Sequence, residues 1–306
     1  MNALPAQSTG TAAPSKLVKS ARKRLERFVT LYPRALISDD PEIVHDLRVA
    51  SRRLQQSLRL LQPDDKSAHR KLFKVLRRAR RAFGPSRNLD VGLQLIQAKL
   101  EGTTSVSLRH SWEAVRLWLV EKRAGEIERA RAELRRHDLI AFIVRAQARI
   151  EAIDQEPPEN VEPIRDRAKE TLAKWHGAFE AARTEPRSEP MHAFRIAGKR
   201  LRYQAESLNE IGDASVKKLV QGLKALQDDL GAWRDRSMLR RYVAEFIGRA
   251  DFLAEEPGMG RALLLEMERD KQQDQAALDE IIAKAEKLAE KWADLSESPA
   301  ETAQER

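Results

Sequence analysis

Two ten-residue segments of the chain share a histidine that is followed by basic residues at fixed spacing. His45-Asp-Leu-Arg-Val-Ala-Ser-Arg-Arg-Leu54 matches His192-Ala-Phe-Arg-Ile-Ala-Gly-Lys-Arg-Leu201 at an offset of 147 residues. The histidine, two arginines, an alanine and the leucine are identical in both segments. Arginine offers a planar fork of donors to phosphate oxygens and lysine a point charge, so these residue types at this spacing favour anion binding.

Helical spacing separates the polar and apolar residues of both segments. At about 100° per residue, the polar positions of each helix share one face. These positions are His45, Arg48, Arg52, Gln56 and Arg59 in the first segment, and His192, Arg195, Lys199 and Tyr203 in the second. The opposite faces carry Leu47, Ala50, Leu54, Leu58 and Leu61, and Phe194, Ala197, Leu201, Ala205 and Leu208. Each helix is therefore predicted to bury an apolar stripe and to present a basic ridge.

A third basic face follows on the next predicted helix. Arg70, Lys74, Arg77, Arg78 and Arg81 lie opposite Leu72, Leu76, Ala79 and Phe83, and Gly84-Pro85 is predicted to end this helix, with the glycine as its cap. Residues 45–88 hold thirteen Lys or Arg against three Asp, a net charge of +10 in a chain whose total is +9. The matching residues 192–235 carry a net charge of +2, and residues 266–306 carry −6. A solvated helix face is the alternative interpretation, but solvated faces usually mix both signs, so this concentration favours a polyanionic ligand.

The same offset of 147 continues well beyond the two histidine segments. It pairs Leu61 with Leu208, Gly84 with Gly231 and Arg87 with Arg234 without a gap. A constant register over more than forty residues indicates a duplicated helical bundle. The predicted organisation is a disordered tail (1–15), a first bundle (16–153), a Pro-rich linker (154–163), a second bundle (164–294) and a second disordered tail (295–306).

Composition agrees with an all-α fold and excludes several kinds of chemistry. Among 306 residues, 42% are hydrophobic, 34% are charged and none is cysteine. Disulfides and thiolate metal sites are therefore excluded, and no apolar run is long enough to cross a membrane. Asp46 and Asp90 are expected to pair with arginines or to cap helices. We therefore expect a cytoplasmic protein that is not an enzyme, with no membrane partner, cofactor, metal site or catalytic residue.

At these residues the chain resembles the CHAD family, the conserved histidine α-helical domains. The similarity rests on the two histidine helices and on the Leu-x-x-Leu-x-x-Asp-Leu-Gly-x-x-Arg-Asp run from Leu223 to Asp235, and it spans about residues 16–294. The resemblance implies two four-helix bundles related by a pseudo-twofold axis. It also implies that inorganic polyphosphate binds to basic residues in a groove or pore between the bundles.

The resemblance also implies which residues would bind. The binding residues it implies are His45, Arg48, Arg52, Arg53, Arg59, Lys74, Arg77, Arg78, Arg81 and Arg87 in the first copy, and His192, Arg195, Lys199, Arg200, Arg202, Tyr203, Lys217, Lys218, Lys224 and Arg234 in the second. The second copy departs from the basic pattern at Gln227, Asp228 and Asp229, which puts an equal contribution from that copy in doubt.

Three further functions compete with polyphosphate binding and location to polyphosphate granules. A nucleic-acid module could use the same ridges, although the five tryptophans fall in apolar patterns and only Tyr203 stands on a ridge. An enzyme acting on phosphate polymers would need carboxylates such as Asp46 and Asp90 near the basic face. A scaffold or accessory protein could dock partners on its acidic C-terminal helix. If the chain binds polyphosphate, the histidines among these cations predict an affinity for polyphosphate that rises as pH falls through the range in which histidine is protonated.

Overall fold

The computed structural model describes residues 12–61, 66–155, 162–249, 252 and 256–293, and all regular structure in these ranges is helical. The all-α prediction is therefore confirmed. The helices are α1 (Ala12–Ala35), α2 (Pro41–Leu61), α3 (Lys66–Ala82), α4 (Gly84–Gly102), α5 (Val106–Arg135), α6 (Leu139–Gln155), α7 (Glu162–Thr184), α8 (Ser188–Glu210), a 3-10 turn (Ala214–Val216), α9 (Lys217–Ile247) and α10 (Pro257–Lys291). Within the described part of the chain, no helix is both long and apolar enough to cross a bilayer.

Some helix boundaries coincide with signals in the sequence, and others do not. Asp40 caps α2 by accepting a hydrogen bond from the Glu42 amide at 2.9 Å. Two prolines, Pro186 and Pro190, follow Thr184, where α7 ends, and α8 begins at Ser188. The helix predicted to begin near Lys16 begins at Ala12, so residues 12–15 of the first predicted tail are helical. Residues 1–11 and 295–306 of the predicted tails, residues 156–161 of the predicted linker, and residue 294 at the end of the predicted second bundle lie outside the described residues.

The Gly84-Pro85 pair ends α3 differently from the prediction. α3 stops at Ala82, Phe83 forms a one-residue break, and Gly84 is the first residue of α4 rather than a left-handed cap. Proline lacks an amide donor and its ring excludes the carbonyl four residues earlier, but both features are tolerated in the first turn of a helix. The matching pair in the second half is Gly231-Ala232, and α9 runs through it without a break.

The largest hydrophobic cluster buries the predicted apolar stripes of α2 and α8. Leu47, Leu54 and Leu58 from α2, and Phe194 and Leu201 from α8, are at most 1% exposed. α1 packs against α2 and α7 packs against α8, which covers these stripes from the outside. The remaining faces of α2 and α8 are therefore left to carry polar residues.

A second hydrophobic cluster draws on both sides of the predicted linker. It joins α4 and the first part of α5 to the last part of α9 and the first part of α10, with Trp112, Leu119, Val243 and Leu263 at its centre. Since helices from both halves of the chain share this core, it holds the two halves to each other.

Buried ion pairs connect α9 to α10 beside this second cluster. Asp274, which is 4% exposed, accepts hydrogen bonds from Arg236 and Arg240. Nearby, Lys99 of α4 binds Glu266 and Asp270 of α10. Each carboxylate compensates cations that would otherwise be partly buried without a counter-charge.

We predict that Asp274→Ala lowers the free energy of unfolding by about 3 kcal/mol, because two partly buried guanidinium groups lose the carboxylate that they share. Urea denaturation measures the change. Asp279→Ala removes an exposed carboxylate from the same helix and should cost less than about 0.5 kcal/mol. Equal losses in the two variants would contradict the assigned role of Asp274.

Candidate functional site

The basic ridges of α2 and α8 face each other. The Arg52 guanidinium donates a hydrogen bond to the Tyr203 hydroxyl at 2.9 Å, and its central carbon lies 5.9 Å from the centroid of the Tyr203 ring. These residues are 151 positions apart in the chain, and both belong to the polar faces identified from the sequence. The folded chain therefore brings the two matched segments together across one gap.

That gap is a cleft of about 520 Å³, which we call the main cleft. α2 and α3 form one wall, α8 forms the other, and α7 contributes one residue. Its lining consists of Arg52, Gln55, Gln56, Arg59, Arg80, Thr171, Ile196, Lys199, Arg200, Tyr203 and Gln204. None of these lining residues is an aspartate or a glutamate.

A neighbouring cleft of about 390 Å³, the side cleft, lies between α8, α9 and the start of α4. It is lined by Asn88, Met191, His192, Arg195, Leu230, Trp233, Arg234, Ser237, Met238 and Arg241. Arg195 connects the two clefts, because its pKa is lowered by burial, by Arg234 of the side cleft and by Arg52 of the main cleft. The side cleft also has no carboxylate in its lining.

Burial and mutual repulsion disfavour the charged forms of the cations here. Burial, followed by Arg195 and Arg52, lowers the pKa of Lys199 to about 7. Burial, followed by the charge of Arg52 in both cases, lowers the pKa values of Arg48 and Arg80 to about 10. No carboxylate is among the causes that shift the pKa values of Lys199, Arg48 and Arg80, so the charge of these three cations is not compensated by a carboxylate of the described residues.

Neutral oxygen atoms hold these cations in place. Arg48 donates to the Arg80 carbonyl, and Arg80 donates to the carbonyl and hydroxyl oxygens of Ser51 at 3.2 and 3.1 Å and to the Gln55 side chain. A carbonyl or hydroxyl oxygen orients a guanidinium group without neutralising it. The full charge therefore remains available to a ligand.

Several buried nitrogen atoms at the site have no hydrogen-bond acceptor. They are Gln56 Nε2, Arg87 Nη1 and Arg195 Nε. Buried donors without acceptors are rare in folded proteins, and such groups often mark a place where a ligand or an ion binds. Donors of this kind suit an oxygen-rich anion.

Comparison with known proteins identifies the family. The family model for the CHAD domain matches residues 19–244, about three quarters of the chain. This chain belongs to the CHAD family. A crystal structure of the CHAD domain from the plant Ricinus communis is similar in fold, with a TM-score of 0.63 and 19% sequence identity over 90% of this chain and 94% of that chain. No curated protein sequence matches this chain.

Eight of the twenty predicted residues line the two clefts: Arg52, Arg59, Lys199, Arg200 and Tyr203 line the main cleft, and His192, Arg195 and Arg234 line the side cleft. Arg48, Arg77 and Arg202 lie near enough to lower the pKa values of lining residues of the main cleft. After the larger effect of burial, Arg87 and Arg48 lower the pKa of His45. Eight predicted residues are exposed and line neither cleft: Arg53, Lys74, Arg77, Arg78, Arg81, Lys217, Lys218 and Lys224. Their assignment to the ligand stays a prediction.

Two arginines that line the clefts, Arg80 and Arg241, were not predicted from the sequence. Arg80 lies three residues beyond Arg77 on α3, and its matched position in the second half of the CHAD domain is Gln227, so the repeat did not mark it as basic. Arg241 lies beyond the matched segment. Trp233, expected in the core, is half-buried and lines the side cleft. No pattern of spacing in the sequence singled out these three positions.

Both candidate catalytic carboxylates are engaged elsewhere. Asp46 pairs with Arg27, and Asp90 pairs with Arg123. The prediction that these aspartates pair with arginines is confirmed. In the described ranges of the CHAD domain, no group of three His, Asp or Glu side chains is arranged to hold a metal ion.

We predict that Lys199→Met stabilises the empty protein by roughly 3 kcal/mol at pH 6 and by little at pH 10. The pKa of Lys199 is about 7 in the folded protein and near its ordinary value when unfolded, so the unfolded chain binds the proton more strongly. The destabilising effect of Lys199 on the folded protein therefore grows as pH falls from about 10 to 7 and is constant below pH 7. Urea unfolding in buffer without phosphate measures it.

The matched control for this prediction is Lys224→Met, which removes an exposed lysine from α9. We expect a change below about 0.5 kcal/mol at every pH for this control. A stabilisation by Lys199→Met that did not depend on pH would contradict the burial of an uncompensated cation.

Proposed function

We propose that this CHAD domain binds inorganic polyphosphate between α2 and α8. The observation that carries the proposal is that Arg52, Arg59, Arg80, Lys199 and Arg200 line one cleft together, with no carboxylate among its lining residues. Such an arrangement destabilises the empty protein. A bound polyanion would supply the missing negative charge and would accept hydrogen bonds from the unpaired donors.

The shape and chemistry of the clefts favour a phosphate chain over a nucleic acid. Polyphosphate carries oxygens along its whole length and needs no surface on which bases could stack. In the main cleft the one aromatic side chain is Tyr203, and the guanidinium groups of Arg52 and Arg202 lie over its ring, at 5.9 and 5.1 Å from the centroid. Single-stranded nucleic-acid sites usually present open aromatic faces for stacking. Nucleic acid is therefore the second candidate ligand.

We propose further that the chain consists of two four-helix bundles related by duplication, and that it acts by binding and not by catalysis. The paired packing of α1 with α2 and of α7 with α8, together with the constant offset of 147, supports the duplication. The engagement of Asp46 and Asp90 by arginines, away from the lining of both clefts, supports a role without catalysis. A binding protein of this kind would act in the cytoplasm, on polyphosphate granules.

We expect Arg52→Gln and Lys199→Gln each to weaken polyphosphate binding by about ten- to a hundredfold, the loss of one charge-assisted contact of about 1.5–3 kcal/mol. Isothermal titration over a salt series measures both the affinity and its dependence on salt, which should be steep because counterions are released. Arg129→Gln, an exposed arginine paired with Glu126 on α5, removes the same charge and should bind as the wild type does.

Unchanged binding in Arg52→Gln would overturn the placement of the ligand in the main cleft.

A competition experiment separates the two candidate ligands. Polyphosphate should displace duplex DNA or RNA at a much lower concentration of phosphate than the reverse displacement requires. Stronger retention of nucleic acid would favour the second candidate.

We also predict that polyphosphate affinity falls as pH rises above about 7. Lys199, whose pKa in the empty cleft is about 7, faces Arg195 and Arg202 on its own helix, Arg52 on α2 and Arg234 on α9. Bound polyanion favours protonated Lys199, so binding takes up a proton above pH 7 and is less favourable at higher pH. Titrations between pH 6 and 9 measure the effect.

Lys199→Arg keeps its charge over this whole range, so its affinity should stay level from pH 7 to 9. A decline as steep as that of the wild type would assign the pH dependence to another group. His45→Ala combined with His192→Ala tests the part below pH 7, where the histidines are expected to act.

A further inference from the structure

The outer face of α3 carries a row of cations that lines neither cleft. We call this row the α3 ridge and define it as Lys74, Arg77, Arg78 and Arg81, all of which are exposed. The ridge repeats like charges at i,i+4 spacing twice, which disfavours the helix by roughly 0.2–0.5 kcal/mol per pair. Among the described residues, no carboxylate forms an ion pair with any of the four, so the ridge is not an ordinary mixed-charge surface.

Arg77 connects the ridge to the main cleft. Its charge is the largest cause after burial that lowers the pKa of Arg59, and it also lowers the pKa of Arg80 after burial and three other cations. Both of these residues line the main cleft. Arg77 therefore lies close to two cations of the main cleft. A phosphate chain that extended out of the main cleft beside Arg59 would contact Arg77 next.

The far part of the ridge adjoins His137, in the turn between α5 and α6. The side chain of His137 is 7% exposed, and its Nε2 has no hydrogen-bond partner within 3.5 Å. Burial, followed by the charge of Arg78, lowers the pKa of His137, and Lys74 acts in the same direction. The carboxylate facing it is Glu133, 3.8 Å away, and Arg136 also engages Glu133. The α3 ridge therefore extends from Arg77, beside the main cleft, to the imidazole of His137.

The second half of the chain has no equivalent row. At the offset of 147, the positions matching Lys74, Arg77, Arg78 and Arg81 are Gln221, Lys224, Ala225 and Asp228. One cation remains out of four, and one position is acidic. A row that served only solubility would have no reason to be confined to the half whose cleft wall also carries Arg80.

We propose that the α3 ridge extends the polyphosphate site, so that a long chain leaves the main cleft past Arg77 and continues over the outer face of α3 toward His137. This inference rests on the proposed function. The part of α2 that lines the main cleft, from Arg52 to Arg59, is about 10 Å long, and the ridge from Lys74 to Arg81 adds about 10 Å, at 1.5 Å per residue. The ridge therefore contacts only chains that are longer than the main cleft.

The test compares two ligand lengths on the full chain. We expect the triple variant Lys74→Gln, Arg78→Gln and Arg81→Gln to bind long-chain polyphosphate about tenfold more weakly than the wild type, from three exposed charge contacts of up to 1 kcal/mol each. Its dependence of affinity on salt should become shallower by about two charges. Tripolyphosphate, which is shorter than the main cleft, should bind to the triple variant and to the wild type equally well. Arg77 is left unchanged because it also borders the main cleft.

The matched control is Lys271→Gln, Lys287→Gln and Lys291→Gln, which removes the same charge from exposed positions on α10. It should bind both ligands as the wild type does, apart from a small common shift. Equal weakening for both ligand lengths in the α3 variant, or no weakening for either, overturns the extension while leaving the main cleft intact. If neither ligand binds to the wild type, the proposed function itself fails, and the extension fails with it.

Discussion

Repulsion among cations in the gap between α2 and α8 is the constraint on which the rest of the structure depends. After burial, the charge of Arg52 helps to lower the pKa values of Lys199, Arg48 and Arg80, and the Arg52–Tyr203 contact directly joins the two helices across the gap. The two helices are held in place by packing on the faces opposite the gap. Their apolar stripes, such as Leu54 on α2, are buried against α1 and α7, and each fully buried side chain of this kind contributes about 1.5–3 kcal/mol. Hydrophobic burial on one face of each helix thus offsets the repulsion on the other, and the second cluster, shared by α4, α5, α9 and α10, holds the two halves together.

The means of positioning the cations matters as much as their number. Elsewhere in the protein, buried cations are matched with carboxylates, as Arg236 and Arg240 are with Asp274. At the main cleft, Arg80 is instead held by Ser51 and Gln55, which orient the guanidinium and leave its charge intact. The chain therefore holds its partly buried cations in two ways, with carboxylates at one place and with neutral oxygen atoms at the other. Charge is neutralised where the fold needs stability, and it is retained where an anion is to bind.

The two halves of the chain contribute differently to this site. The Ser51 and Arg80 pair of the first half corresponds to Gly198 and Gln227 in the second, and a Cβ atom at Gly198 would come within 3.3 Å of Trp175. The second half therefore has less space at this position and one buried cation fewer. It supplies Lys199 and Tyr203 to the main cleft and most of the side cleft, whereas the first half supplies three of the four arginines of the main cleft. A duplicated framework has thus become an asymmetric binding surface, with the stronger positive charge on the side of α3.

The sequence by itself determined the helical class, some helix ends and the division of α2 and α8 into apolar and basic faces. These features depend on local spacing, on caps such as Asp40 and on the periodicity of Leu47 and Leu54, all of which operate within one helix. Only the tertiary structure decided which cations meet. Arg80 and Arg241 line clefts without a signal in the repeat, whereas Lys74 and Arg78, equally basic in the sequence, face His137 instead. The difference arises because helix crossing and the break at Phe83 set the direction of each side chain relative to distant helices, and no local pattern encodes that relation.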